Sequence, residues 1–245
     1  MATPLTDSIN ALTAYANEVT GESDTNLSDA VHTLASGYAQ GKYAPNGYTR
    51  LLYLEASGTQ GIDTGKYGKL NSRFVVDFGY SPTGQYGYYA SVLGSDNPLL
   101  YASTVNAVIE FSNGNGYWKF GNSAEKQLSI PLPYKRWILE FSKDYGKYTD
   151  YEFPSLTKSV EIGATSITEN QNSHLGLFCR GKNGTFERFA PCRIYEYWYY
   201  EGDTLIQHMI PVKRKSDNVL GMYDLVEDIF YTNIGTGTFI EGAWI

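Results

Sequence analysis

Apolar and polar residues alternate along Arg73-Phe-Val-Val-Asp-Phe78, where Phe74, Val76 and Phe78 share one face, and along Trp137-Ile-Leu-Glu-Phe141, where Trp137, Leu139 and Phe141 do. A period of two sets these side chains on one side of a pleated ribbon, so both runs predict half-buried antiparallel strands. Turn chemistry punctuates such runs at Ser81-Pro-Thr-Gly84, Gly94-Ser-Asp-Asn-Pro98, Ser112-Asn-Gly-Asn-Gly116, Lys143-Asp-Tyr-Gly146 and Gly181-Lys-Asn-Gly184. That spacing suits a sandwich. No helical period of useful length alternates with the strands, which argues against a parallel α/β sheet.

The first forty residues follow another rhythm. Leu5, Ile9, Leu12, Ala16 and Val19 alternate spacings of four and three, and Leu27, Val31, Leu34 and Tyr38 resume the pattern. Each set forms one stripe on a helix. Thr3 before Pro4 predicts the start of the first helix and Gly21 its stop, while Asn26 and Asp29 have capping-box spacing and Gly37 closes the second. Helices this short are marginal alone in water, so each stripe must be covered. Either the pair docks within its own chain or the stripes meet in a bundle of several chains; the second is favoured, with Leu5, Ile9, Leu12, Val19, Leu27, Val31 and Leu34 as the oligomerisation residues. A Gly/Tyr/Pro linker follows, giving a helical segment over 1–38, a linker over 39–49 and a β-sandwich domain over 50–245.

Composition narrows the class. With 22 tyrosines, 25 glycines and 18% charged residues, the 245-residue chain reads as many short strands joined by tight turns. A formal charge of −7 gives no footprint for nucleic acid, and the lone basic cluster, Lys213-Arg214-Lys215, fits a solvated turn. Residues 1–47 carry five acids against one lysine, which sets the front apart as an acidic unit. Cys179 and Cys192 lie in apolar runs with no CxxC or histidine partner nearby; buried free thiols are expected, a bridge between neighbouring strands being the alternative. No apolar run approaches membrane-spanning length and no signal peptide is visible, so synthesis in a host cytoplasm without membrane insertion is expected.

Two stretches carry a resemblance: Tyr53-Leu-Glu-Ala-Ser-Gly-Thr-Gln-Gly-Ile-Asp-Thr-Gly65, and the C-terminal run from Pro211-Val-Lys-Arg-Lys-Ser-Asp217 through Gly221-Met-Tyr-Asp-Leu225 to Phe230-Tyr-Thr-Asn-Ile-Gly-Thr-Gly-Thr-Phe239. With these, roughly Arg50 to Ile245 resembles the concanavalin/laminin-G-like jelly-roll modules of phage and prophage virion proteins from Gram-positive hosts. The opening, Leu5-Thr-Asp-Ser-Ile-Asn-Ala-Leu12 and Leu27-Ser-Asp-Ala-Val-His-Thr-Leu34, is similar to segments that precede variable modules in such proteins. The resemblance implies an antiparallel jelly roll whose C-terminus is a strand, a turn and a hairpin. It also implies that Tyr195, Tyr197 and Tyr199, on one face of the Arg193–Tyr200 run, enter the core, leaving Trp198 outward as a contact for a ligand or a neighbouring chain, or as edge packing. The chain departs from the pattern at Gly61, where relatives carry an aromatic; a closely approaching backbone or partner is expected to take its place.

Catalytic apparatus is not visible. His32, His174 and His208 fall in different elements, without HExxH, a His/Cys pairing or a Gly-x-Ser-x-Gly elbow. Glycosidases of this shape need two carboxylates about 5–10 Å apart across the scissile bond. Asp150 and Glu152 have suitable spacing but sit beside Phe153-Pro154 in a loop-like setting, and turn geometry accounts for Asp224, Glu227 and Asp228. Scattered loop acids such as Asp96 do not make a calcium loop, so no metal and no cofactor is expected. What remains is binding. Asn115-Gly-Tyr-Trp118 and Arg180-Gly-Lys-Asn183 supply aromatic faces and planar polar groups, making Tyr117, Trp118, Arg180, Asn183 and Trp198 the candidate ligand residues, although Trp118 equally fits a core position. The expectation is a non-enzymatic virion protein, a trimeric tail-fibre adhesin that meets host-surface glycan and other virion proteins. A capsid decoration or head-fibre role is the alternative, and a polysaccharide depolymerase a remoter one.

Overall fold

Alternation becomes architecture as soon as the strands are paired. The computed structural model describes residues 4–20, 23, 26–31, 44–81, 90–96, 105–112, 115–129, 136–167 and 173–243. A helix, α1 (Pro4–Thr20), is followed by β1 (Tyr48–Arg50), β2 (Leu54–Glu55), β3 (Ile62–Asp63), β4 (Ser72–Tyr80), β5 (Ala90–Asp96), β6 (Val105–Ser112), β7 (Asn115–Gly121) and β8 (Lys126–Ser129). Next come β9 (Arg136–Ser142), β10 (Tyr145–Asp150), β11 (Thr157–Glu161), β12 (Gly176–Leu177), β13 (Arg180–Lys182) and β14 (Thr185–Glu187). The chain closes with β15 (Cys192–Glu201), β16 (Thr204–Arg214), β17 (Leu220–Asp224), β18 (Ile229–Thr232) and β19 (Ile240–Glu241).

These strands form two sheets. The larger runs β11-β10-β9-β4-β15-β16-β17-β18, with β1 beside β16 and β2 between β15 and β19; the smaller runs β14-β13-β5-β6-β7-β8, with β12 joining β3 to β5. Strand pairings are antiparallel apart from that of β13 with β5. At one edge of the sandwich β11 meets β8, and at the other β18 meets β3. Between the sheets, Phe74, Val76, Phe78, Trp137, Leu139 and Phe141 face Val92, Ile109, Trp118 and Phe120, all buried. The expected antiparallel β-sandwich is the observed fold, including the hairpin β17–β18. Tyr48 pairs with Arg214, which sets β1 on the larger sheet beside β16.

One strand face differs from expectation. Tyr197 and Tyr199 are fully buried, but the register of β15 against β4 shifts between Ile194 and Glu196. A bulge inserts an extra residue and turns the following side chain over. Tyr195 is therefore half-buried on the outer face, where its ring lies 3.8 Å from the Arg136 guanidinium.

The front segment is helical over Pro4–Thr20 and again over 27–31. Asn26 caps the second stretch: its Oδ1 accepts from the Asp29 amide at 2.9 Å and its amide donates to Asp29 at 2.6 Å. The buried positions are Ala16, Thr20 and Ala30, whereas Ile9, Leu12 and Val31 are 37%, 55% and 50% exposed. Leu27 is partly buried. The side chains of Leu5 and Val19, and Thr3, Gly21, His32, Leu34 and Gly37, lie outside the described residues. Among the described positions of this segment, small residues are the buried ones and the larger apolar side chains of Ile9, Leu12 and Val31 are exposed.

Candidate functional site

The cleft at the β3 edge is built from three segments that the sequence keeps far apart. Asp63 ends β3, Tyr67 lies in the loop after it, Ser173 and His174 precede β12, and Asn183, Gly184, Thr185 and Phe186 form the β13–β14 hairpin. Together they line a cavity of about 600 Å³. Asp63 pairs with Gly176 across the β3–β12 ladder. The Thr64 amide and hydroxyl both donate to the Leu175 carbonyl, at 3.0 and 2.8 Å, and the Leu175 amide returns a bond to Lys66 at 2.7 Å. This clamp fixes the Tyr67 loop against the His174 loop. The hairpin is held by the Asn183 amide, which donates to Ser173 Oγ at 2.8 Å. Gly181 allows the approach, since a Cβ there would stand 2.0 Å from the His174 carbonyl oxygen.

At the centre, His174 Nδ1 lies 2.9 and 3.0 Å from the two Asp63 carboxylate oxygens, and its Nε2 lies 2.9 Å from the Tyr67 hydroxyl. Asp63 Oδ1 also accepts from the Gly65 amide at 2.8 Å. A carboxylate facing Nδ1 selects the Nδ1–H tautomer, which leaves Nε2 to accept the phenol proton. The Tyr67 and His174 rings meet edge to face, 4.6 Å between centroids. Asp63 and His174 side chains are 31% and 33% exposed, so the array is ordered by the protein yet open to the cleft. The flanking lysines are engaged: Lys66 with Glu227 and Lys182 with Glu187. Burial alone would raise the Glu187 carboxyl, but hydrogen bonds and charge from Arg180 and Lys182 hold it below the usual carboxylate range.

The lining includes the rings of Tyr67 and Phe186, the Asp63 carboxylate, and Asn183, whose backbone takes the left-handed conformation at the hairpin turn (φ 51°). Among the described lining residues Asp63 is the sole carboxylate, so a flanking acid pair is not assembled here.

The sequence-chosen ligand residues are dispersed. Asn183 lines the cleft. Arg180 stands behind it, 5% exposed and paired with Glu187, where it supports the hairpin. Tyr117 is half-buried on β7, opposite Glu110 and Gln127, three strands away from β13. Trp118 corrects the ligand reading: it is fully buried against Phe141, and a Cβ on Gly146 would stand 2.8 Å from its ring, so it cannot reach a surface ligand. Trp198 is half-buried on the outer face of the larger sheet and stacks on His208, ring centroids 5.1 Å apart. Sequence reasoning missed Asp63, Tyr67 and Phe186, and left His174 without a partner. Asp150 accepts from the Glu152 and Phe153 amides, and Asp224 from the His208 and Val226 amides, so both acids organise backbone. Cys179 and Cys192 are free and buried. At Gly61 a Cβ would lie 2.6 Å from Cys179 Sγ and 3.0 Å from the Phe189 ring, so these two side chains occupy the space of the expected aromatic.

No family model matches the chain, and no curated protein matches it in sequence. Among solved structures it is similar to a protein from Bacteroides ovatus ATCC 8483 described as a putative carbohydrate binding protein. The TM-score is 0.53 and the identity 10%, covering 80% of this chain and 62% of that one, less than two thirds of its length. The two share a β-rich fold. No helix among the described residues is long and apolar enough to cross a membrane.

Proposed function

We propose that the chain is a non-enzymatic carbohydrate-binding jelly roll whose ligand site is the Asp63–His174–Tyr67 cleft. The carrying observation is the ordering of that array: an imidazole held within 3.0 Å of a carboxylate on one ring nitrogen and of a phenol on the other, on the wall of an open cavity that Phe186 and Asn183 also line. Sugars are bound by aromatic rings plus a few planar hydrogen-bonding groups, and both kinds of side chain line the cleft. The fold shared with the Bacteroides ovatus protein supports the same reading. With its lysines engaged by acids, the cleft suits uncharged, hydroxyl-rich units over anionic ones.

The C-terminal and N-terminal motifs support placing this module on a virion, as the receptor-binding part of a tail fibre made in the host cytoplasm. The helices then join copies, as a trimer, to one another and to other virion proteins. Several weak sites engaging together raise avidity by about 10²–10⁴ without new contacts. A glycan array probed with the full chain and with Asn183→Ala and Tyr67→Phe tests the cleft: signals lost in both variants support it, and signals unchanged in both refute it. Gold-labelled antibody on intact particles tests the location, with label on the tail expected and label spread over the capsid favouring decoration.

A further inference from the structure

The wall of the cleft is polar in one sense only. His174 Nδ1–H is committed to Asp63, and Nε2 accepts the Tyr67 phenol proton across 2.9 Å, so the hydrogen of that hydroxyl is turned onto the imidazole. What is left for a ligand is acceptors, on the Tyr67 oxygen and the Asp63 carboxylate. All three side chains line the cavity, and those of Asp63 and His174 are 31% and 33% exposed. A carboxylate accepts at about four positions. Among the described residues, Asp63 takes the Gly65 amide on Oδ1 and Nδ1 across both oxygens, which leaves capacity on Oδ2. No described lysine or arginine pairs with it, since Lys66 is held by Glu227, and Arg180 and Lys182 by Glu187.

A single proton reverses this arrangement. When His174 is protonated both ring nitrogens donate, so Nε2–H takes a lone pair of the Tyr67 oxygen and the phenol hydrogen must turn away from the ring. Asp63 then faces an imidazolium instead of a neutral ring, and the wall loses its net negative charge. The described charged and titratable groups around His174 are Asp63 from β3 and Lys66 and Tyr67 from the loop after it. Arg180, Lys182 and Glu187 stand on the β13–β14 hairpin, and Glu227 reaches the site through Lys66. The cations among these are already matched by acids, which leaves the His174 proton to decide what the wall offers.

Resting on the carbohydrate reading of the cleft, we infer that Asp63 and Tyr67 hold the ligand through free sugar hydroxyls that donate to them, and that protonation of His174 releases it. Neighbouring hydroxyls supply the hydrogens that the wall lacks. An ether or ester oxygen in their place would set acceptor against acceptor, leaving the protein groups unpaired. In the protonated state the hydroxyl at Tyr67 meets a donor, and the one at Asp63 competes with an ion pair. The sign follows: the ligand prefers the neutral ring, so affinity is full while His174 is neutral and falls as pH drops through its titration. By linkage, bound ligand holds the ring neutral to lower pH.

The probe is an oligosaccharide cut from purified host-surface polysaccharide, titrated calorimetrically into the full chain at about pH 8 and about pH 5, the span over which imidazoles change charge. The lower limit stays above the lowered range of Glu187, so the hairpin is intact throughout. Affinity is expected to be about tenfold weaker at the lower pH, equivalent to about 1.4 kcal/mol, and the fully O-methylated oligosaccharide is expected not to bind at either. His174→Asn, whose amide keeps a donor on Asp63 but does not titrate, is expected to bind equally at both. Should that variant not fold, the wild-type ring protons of His174, identified by their contacts to the Tyr67 ring, should keep their neutral-state shifts to lower pH when the oligosaccharide is bound. Binding that is lost in Asn183→Ala yet has one affinity at both pH values, an unmoved His174 titration, or equal binding of the methylated probe overturns the proton control alone. No binding at the higher pH, or binding that Asn183→Ala and Tyr67→Phe both leave intact, overturns the carbohydrate cleft and this inference with it.

Discussion

His174 Nδ1 stands 2.9 Å from Asp63 Oδ1, although 111 residues separate the two in sequence. The carboxylate sets the imidazole tautomer and thereby the direction of the Tyr67 hydroxyl on the other ring nitrogen. Asp63→Asn keeps the size but removes the charge that selects this tautomer. It is expected to weaken glycan binding by about tenfold, 1.4 kcal/mol, with the thermal midpoint little changed. Calorimetric titration beside a melting curve checks both; a large loss of stability with no specific loss of affinity would make the pair structural.

Much of the fold was legible because a strand's period is short and local. Phe74, Val76, Phe78 and Trp137, Leu139, Phe141 announce their faces in runs of five or six residues. The cleft was illegible for the converse reason: its chemistry arises from pairing β3 with β12, and no local pattern near His174 names Asp63 as its partner. Asn183 was found because turn chemistry marks it, and Asp63 was already inside the quoted Gln60-Gly-Ile-Asp63 motif. Tyr195 was misplaced because of the bulge between Ile194 and Glu196 in β15, since a single inserted residue inverts an alternation that the sequence alone displays as regular.

Acid should loosen the hairpin that walls the cleft. Glu187 titrates lower in the folded chain than its ordinary value of 4.5, so its stabilisation is complete above that value and is lost as pH falls through the lowered folded value. Protection factors of the Lys182–Glu187 amides, which are exchange rates divided into the intrinsic rate at each pH, are expected to fall below about pH 4.5 before global unfolding, and Glu187→Gln should flatten that fall. Protection factors unchanged across this range in the wild type would contradict the assignment.

Asp77 and Arg136 form a bidentate pair, with Nε–Oδ1 at 2.8 Å and Nη2–Oδ2 at 2.6 Å, and the guanidinium lies between the rings of Tyr151 and Tyr195 at 3.6 and 3.8 Å. The Asp77 side chain is 6% exposed. Burial outweighs the pairing and raises its carboxyl above the usual range. Removing one partner of a buried pair costs about 3–5 kcal/mol, so Arg136→Ala should lower unfolding free energy by that order in urea titration. A change under about 1 kcal/mol, the range of exposed pairs, would show the site to be solvated.

Both thiols should resist modification in the native chain. Burial pushes Cys179 and Cys192 well above the ordinary thiol range, and the thiolate is the reactive form. Ellman's reagent at pH 8 is expected to find both thiols only after denaturation. Gly61→Ala should cost about 1–3 kcal/mol by overpacking against Cys179. Adding Cys179→Ala, which removes Sγ, should recover part of that loss.

The most direct test of a sugar-binding cleft is calorimetric titration of the full chain and of His174→Ala with purified host-surface polysaccharide, with reducing ends assayed in the same samples. The account predicts saturable binding by the wild type, at least about tenfold weaker in the variant, with no new reducing ends. Equal binding by both proteins, or release of reducing sugar by the wild type, would contradict it.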